Sequence, residues 1–215
     1  MFELIKKKLK TMKERSDAEN YGISEFVRFV SKEVSPNSII LDAGAGWCPY
    51  KGYFQHANYI SLDFGSAFGT SPIGIIGDLT SIPFKDESID AVLCTQVLEH
   101  VKEPKSVVSE FYRILKPNGS LFLTAPQGWG IHQEPYDYFR FTSYGLEYIF
   151  NSVGFNIEFI KPRGGYFWYI GSRLREICLF PKNIVIKKLL YVLFSLVNPT
   201  YVFISISTIK KSVGR

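Results

Sequence analysis

The sequence predicts an α/β fold built on an open, mostly parallel sheet, and three observations predict it. Short apolar runs, each closing on a polar residue, recur along the middle of the chain, as in Ile39-Ile-Leu-Asp42, Asn58-Tyr-Ile-Ser-Leu-Asp63 and Ser88-Ile-Asp-Ala-Val-Leu-Cys-Thr95. Such runs suit strands buried on both faces. Between them lie helical patterns with ordinary start and stop residues, and strand–helix alternation implies right-handed parallel crossovers. The first strand runs straight into a glycine turn, Asp42-Ala-Gly-Ala-Gly46.

In order along the chain, residues 1–15 read as a basic amphipathic helix. Phe2, Ile5, Leu9 and Met12 recur at helical spacing among Lys6, Lys7, Lys8, Lys10 and Lys13. Such a helix can lie on an anionic bilayer, pack on the domain or fray. A second helix is expected from Asp17 to Val34, with Phe26, Val27, Phe29 and Val30 turned inward, before Ser35-Pro-Asn37 breaks it. Residues 1–36 therefore form an N-terminal helical segment, and residues 37–215 the main domain.

The glycine turn after the first strand lets backbone approach a ligand that a Cβ would obstruct. It is not the dinucleotide fingerprint, because Cys48 stands where a third glycine would be. A tight turn with no ligand is the plain alternative. Trp47–Phe54 then forms a short aromatic helix or loop over the ligand mouth. The second strand ends at Asp63, twenty-one positions after Asp42. A carboxylate at that distance suits the two hydroxyls of a ribose, although Asp also serves in Asx turns and caps.

Ile73–Leu79 gives a third strand ending in Asp78, and Ser88–Thr95 a fourth, followed by Gln96. Asp90 precedes the apolar part of its strand and reads as structural, while His100 reads as a cap or core hydrogen-bonding residue. A helix from Pro104 to Leu115 should stop at Lys116-Pro-Asn-Gly119, before a fifth strand, Ser120–Thr124. Polar residues thus collect at the carboxyl ends of successive strands, where open α/β sheets bind ligands.

These stretches resemble the class I S-adenosylmethionine-dependent methyltransferases, type 11 group. The matching text is Ile39-Ile-Leu-Asp-Ala-Gly-Ala-Gly46, Asp63, Gly77-Asp-Leu79, Ile82 through Val101 and Phe111 through Thr124. The resemblance implies a Rossmann-like seven-stranded methyltransferase sheet with helices on both faces and an antiparallel last strand. It implies S-adenosylmethionine as cofactor, with Asp42, Gly44 and Gly46 lining its methionine side and Asp63 holding the ribose. Asp78 and Leu79 would hold the adenine, and Gln96 would lie close to the methyl group. No metal is implied.

Ala125–Thr142 follows the fifth strand and should fold over the cofactor edge as a lid. His132, Glu134, Asp137 and Arg140 lie there among Trp129, Tyr136, Tyr138 and Phe139. Methyl transfer from a sulfonium needs positioning and exclusion of water. An alcohol acceptor must also lose a proton, for which His132 and Asp137 are the catalytic candidates. An Asp137–Arg140 pair that only rigidifies the loop is the competing reading. The pattern His-x-x-Pro-x-Asp-x-x-Arg-x-Thr resembles methyltransferases associated with bacterial surface-glycan assembly. That resemblance implies a small or lipid-linked glycan acceptor.

Ser143–Ser152 should be the next helix and Phe155–Ile160 the sixth strand. The aromatic stretch Gly164–Ile170 suits core packing or carbohydrate stacking. Lys182–Val197, within a hydrophobic insertion spanning 171–198, falls short of the roughly 20 apolar residues of a membrane span. It reads as an interfacial helix or a hydrophobic dimer face. Tyr201–Thr208 is the closing strand.

Charge is divided unevenly. Residues 1–15 carry +4, residues 161–215 carry +9, and residues 16–160 carry −8. Basic ends suit an anionic membrane surface or simple solvation. The acidic body argues against nucleic acid. Cys48, Cys94 and Cys178 form no close pair, which suits a reducing compartment and offers no disulfide or zinc framework. The expectation is a cytoplasmic enzyme, peripheral at the inner face of the membrane. Another small-molecule or lipid methyltransferase, and a non-catalytic S-adenosylmethionine-binding regulatory or assembly subunit, are the alternatives. The oligomeric state is left open.

Overall fold

The computed structural model describes residues 18–65, 73–163, 183, 185–186 and 204–211. The elements in chain order are α1 (Ala18–Glu33), β1 (Ile39–Ala43), β2 (Asn58–Asp63), β3 (Ile75–Ile76) and β4 (Ile89–Thr95). Then come α2 (Pro104–Ile114), β5 (Leu115–Pro126), α3 (Ser143–Val153), β6 (Phe155–Arg163) and β7 (Ile204–Lys211). Two single-turn helices, Lys51–Phe54 and Leu98–His100, lie after β1 and β4.

The chain divides into two compact units. One comprises Phe26–Lys161 with Ile204–Arg215 and contains every strand-end residue discussed below. The other comprises Met1–Glu25 with Pro162–Phe203, and its described residues are the first turns of α1, the end of β6, and Asn183, Val185 and Ile186. The expected basic helix of residues 1–15, the aromatic stretch Gly164–Ile170 and most of Lys182–Val197 lie outside the described residues.

The seven strands run in the order β3-β2-β1-β4-β5-β7-β6. Strands β1 to β5 pair in parallel, and β7 runs antiparallel to β5. The order reverses between β1 and β4, which opens a crevice at their carboxyl ends. Ile40 and Leu41, like Val92 and Leu93, are fully buried, as a central strand covered on both faces requires.

Helix α2 buries Val107, Val108, Phe111 and Ile114, a stripe at helical spacing opened by Pro104 in the first turn. Thr142 caps α3 by accepting from Gly145 N at 3.0 Å. Gly154, left-handed at φ 104°, ends it. Helix α1 places Phe26, Val27 and Val30 inward as expected, but Phe29 is exposed. It lies 6.3 Å from the Phe159 ring, an aromatic contact at the rim.

The largest departure from the sequence pattern falls at Lys116-Pro-Asn-Gly119. The helix does end at Ile114, yet no loop follows, because β5 starts at once with Leu115. The ladder to β4 pairs Ile89 with Leu115 and then Ala91 with Ser120, so the intervening residues form a bulge. Asn118 sits at φ 65°. A Cβ on Gly119 would stand 2.8 Å from Lys116 O and 3.1 Å from Asp90 O. Asp90 pins the bulge: one oxygen accepts from Lys116 Nζ at 2.7 Å and the other from Ile39 N at 2.9 Å. The third strand is shorter than expected and β7 extends three residues further, to Lys211.

Candidate active site

The crevice at the strand switch point begins with Asp42. Its carboxyl is 1 % exposed, and the Tyr59 hydroxyl donates a short hydrogen bond to Oδ2. Tyr59 is held by Phe54, whose buried ring stacks on it at 6.0 Å. Ile40 pairs with Tyr59 across the ladder, so Asp42 lies diagonally opposite Tyr59 on one face of the sheet. Asp42 Oδ1 is buried and has no hydrogen-bond partner among the described residues. Burial, against the opposing Tyr59 hydrogen bond and helped by the Asp63 charge, pushes the carboxyl up to about 7.

The glycine turn is anchored to β2, since Gly44 N and Ala45 N both donate to Leu62 O, at 2.8 and 3.1 Å. Gly44 stands at φ 78°, and a Cβ there would collide with the Val97 side chain. Val97, just after β4, occupies the space that any larger residue would need.

Asp63 closes the other side of the turn. Its Oδ2 accepts from Gly46 N at 2.9 Å and its Oδ1 from Gly65 N at 3.1 Å. The carboxylate thereby fixes the glycine turn against the end of β2 and leaves lone pairs on both oxygens. Asp78 adopts the local role that its residue type often takes, accepting from Thr80 N and Thr80 Oγ1 at 2.8 Å each. Leu79 is buried and joins the main hydrophobic cluster. Gln96, at φ 54°, donates from Nε2 to Thr124 Oγ1 at 3.0 Å and from its backbone to Thr124 O. Asp42, Gly44, Gly46, Asp63 and Gln96 thus sit on the carboxyl ends of β1, β2 and β4, with Asp78 and Leu79 after β3.

The stretch between β5 and α3 is tied down by Asp137 and Arg140. The guanidinium makes a fork on the carboxylate, 2.7 Å to each oxygen, and also donates to Trp129 O, Gly130 O and Phe139 O. Asp137 additionally accepts from His132 N at 2.9 Å, and its side chain is 2 % exposed. Arg140, with help from that backbone bond and against burial, holds the Asp137 carboxyl well below the usual carboxylate range. The His132 ring has Nδ1 at 3.1 Å from Gly130 O and 3.3 Å from Asp137 Oδ2.

The sequence pattern did not show how this stretch is joined to the end of β4. Tyr138 N and Phe139 N donate to Glu99 O at 2.9 and 3.2 Å, and His100 Nδ1 donates to Tyr136 O at 2.6 Å. The rings of His100 and His132 meet edge to face at 4.7 Å. Burial lowers the His100 pKa from its ordinary value, despite the bond to Tyr136, so the neutral ring is favoured. The text Leu98-Glu-His100 carried a signal for this: a charged pair one turn after a buried strand, facing a loop with its own histidine.

Residues 41–123 match the family described as "Methyltransferase domain". The demethylmenaquinone methyltransferase of Renibacterium salmoninarum is 34 % identical over 97 residues, covering 40 % of this chain and 40 % of that protein. The chain thus spans about two-fifths of that relative's length. Among solved structures, the [4+2]-cyclase SpnF aligns with a TM-score of 0.61 at 16 % identity, covering 87 % of this chain and 81 % of that one. A phosphoethanolamine N-methyltransferase of Haemonchus contortus, crystallised with S-adenosyl-L-methionine, gives 0.59 at 17 %, covering 84 % of this chain and 50 % of that one. At such identities the likeness is one of fold, and the cyclase illustrates that this fold hosts more than one chemistry. The chain has the Rossmann-like methyltransferase fold, and residues 41–123, which carry its strand-end carboxylates, match the methyltransferase domain.

Proposed function

We propose that this protein transfers a methyl group from S-adenosylmethionine to a hydroxyl of a small or lipid-linked glycan acceptor. The observation that carries the cofactor half is the buried Asp42 Oδ1, which lacks a partner among the described residues at the switch point of the sheet. A buried carboxylate oxygen without a donor is costly, and a ligand ammonium would remove that cost. The other residues fit the same molecule: the turn at Gly44 and Gly46 beside its methionine end, Asp63 for the ribose, Asp78 and Leu79 for the adenine. When bound, S-adenosylmethionine supplies an electrophilic methyl group on sulfur. The chain orients it through these contacts, with Gln96 at the end of β4 nearest the transfer.

The acceptor half rests on the stretch from Gln127 to Thr142. His132 lines the acceptor side, and Asp137 positions it through the backbone bond and the Arg140 fork. Exposed Tyr136, Tyr138 and Phe139 offer aromatic faces on which a sugar or a lipid-linked group can stack. The glycan class draws on the His132-to-Thr142 pattern. The basic, apolar ends of the sequence add a peripheral membrane location, where a lipid-linked acceptor would reside.

Calorimetric titration with S-adenosylhomocysteine tests the cofactor reading. An ammonium beside Asp42 favours its ionised form, so binding at about pH 6 should release a proton, and binding at about pH 8.5 should not. Titrations in buffers of different ionisation enthalpy measure this directly. Proton release equal in the wild type and in Asp42→Asn would remove Asp42 from the site. For the acceptor, methyl-donor turnover is measured against lipid-linked glycans, with quinone precursors as the comparison. Turnover confined to the quinones would replace the glycan assignment. Co-sedimentation with anionic vesicles should weaken with salt and fall when residues 1–15 are deleted.

A further inference from the structure

We propose that Glu99, His100 and His132 form a binding site for one divalent transition-metal ion, placed to receive an oxygen of the acceptor. Each of the three offers a ligand atom, and these atoms all lie within 4.8 Å of one another. Two imidazoles and one carboxylate suit zinc and its first-row neighbours, whereas magnesium and calcium prefer an all-oxygen shell. Drawing all three atoms to metal–ligand lengths of about 2.0–2.2 Å requires only side-chain adjustments on the order of 1 Å.

The orientation of the rings supports the assignment. In metal sites, a ligating histidine characteristically gives its other nitrogen to a carbonyl or carboxylate, which fixes the tautomer. His100 Nδ1 has such a partner in Tyr136 O at 2.6 Å, and His132 Nδ1 in Gly130 O at 3.1 Å, with Asp137 Oδ2 at 3.3 Å. That leaves His100 Nε2, a buried atom without a hydrogen-bond partner among the described residues, 3.9 Å from Glu99 Oε1. The contacts of His132 just named all use Nδ1, so Nε2 is the nitrogen it would give to an ion.

Charge and rigidity agree. The groups around the cluster are Glu99, Asp137 and Arg140, the last with Nη2 3.4 Å from His132 Nδ1. Arg140 is matched by the Asp137 carboxylate. The ligands come from two chain segments, Glu99 and His100 after β4 and His132 in the stretch after β5. Backbone bonds from Tyr138 and Phe139 to Glu99 O already join those segments. Three protein ligands leave at least one coordination position open, and an acceptor hydroxyl placed there would lose its proton to water more readily.

This inference rests on the methyltransfer reading for its purpose, but not for its test. Full-length protein stripped with a chelator is titrated with Co²⁺, followed by its visible absorption, and with Zn²⁺, followed by elemental analysis after dialysis. One equivalent should bind. His100→Gln and His132→Gln should each weaken binding by about a hundredfold or more, comparable to the loss of an ion's closest supports. His56→Gln, the remaining histidine, should bind like the wild type. Glu99→Gln removes the carboxylate ligand, and if it fails to fold, the two histidine variants carry the decision. Less than stoichiometric binding, or unchanged affinity in both histidine variants, would overturn the site and leave a hydrogen-bonded anchor only. S-adenosylhomocysteine titration in chelator separates the two readings. Cofactor binding without metal binding defeats this inference alone, and metal binding without cofactor binding defeats the methyltransfer reading alone.

Discussion

Asp63→Ala should weaken S-adenosylhomocysteine binding by about a hundredfold while the protein remains folded. Two ribose hydroxyls donating to one carboxylate are charge-assisted hydrogen bonds, each contributing about 1.5–3 kcal/mol. The same carboxylate accepts from Gly46 N and Gly65 N, so its removal also loosens the glycine turn that faces the methionine end. Both effects act in one direction on binding. Asp63→Asn separates them, since the amide oxygen can serve one backbone donor but the group has lost its charge. About a tenfold loss is expected there, intermediate between wild type and Ala. Thermal melts establish that each variant is folded before titration. Wild-type affinity in folded Asp63→Ala would remove this residue from the ribose site, and with it the spacing argument from Asp42.

Much of the fold was legible because a buried parallel sheet writes itself as short apolar runs. Strand β2 was legible with its observed bounds, and β1 and β4 to within a residue, the last two because burial on both faces leaves no competing pattern. The bulge at 116–119 was legible only as a helix stop, because Pro, Asn and Gly signal a turn equally well inside or outside a ladder. Only the register, set by Asp90 reaching Lys116 and Ile39, distinguishes the two. The strand-end residues were legible for a topological reason, because any polar residue closing a parallel strand arrives at the same edge. Tyr59 was not. Its grip on Asp42 depends on a cross-strand diagonal that no single strand reveals. The histidine pair was hidden similarly, being 32 residues apart and brought together by the return of the chain from β5 over the end of β4.

Asp137→Asn should reduce turnover by about a hundredfold and leave S-adenosylhomocysteine affinity within about twofold of wild type. The cofactor contacts proposed here lie on residues 42–96, whereas the Asp137 carboxylate's polar partners among the described residues are Arg140 and His132. Losing the charge breaks the fork, and Arg140, which also holds Trp129 O and Gly130 O, is left with a neutral partner. The histidine that Asp137 fixes should then sample wrong positions, an entropy cost paid at each transfer. The pair is buried on the Asp137 side but a quarter exposed at Arg140, so its loss should lower stability by about 2 kcal/mol, less than a fully enclosed pair. Arg140→Lys should resemble it, because a lysine keeps charge without the fork.

The pH dependence has a fixed sign. Arg140 lowers the folded-state pKa of Asp137, so the stabilisation is complete above the unfolded value of about 3.9 and is withdrawn as pH falls below it. Denaturant melts from about pH 7 to about pH 3 should therefore show the gap between wild type and Asp137→Asn narrowing only at the acid end. Hydrogen exchange across residues 127–142 supplies the local readout, with faster exchange expected at Tyr138 and Phe139 as the stretch loosens. Unchanged exchange together with undiminished turnover would show that the fork neither holds this stretch nor positions His132.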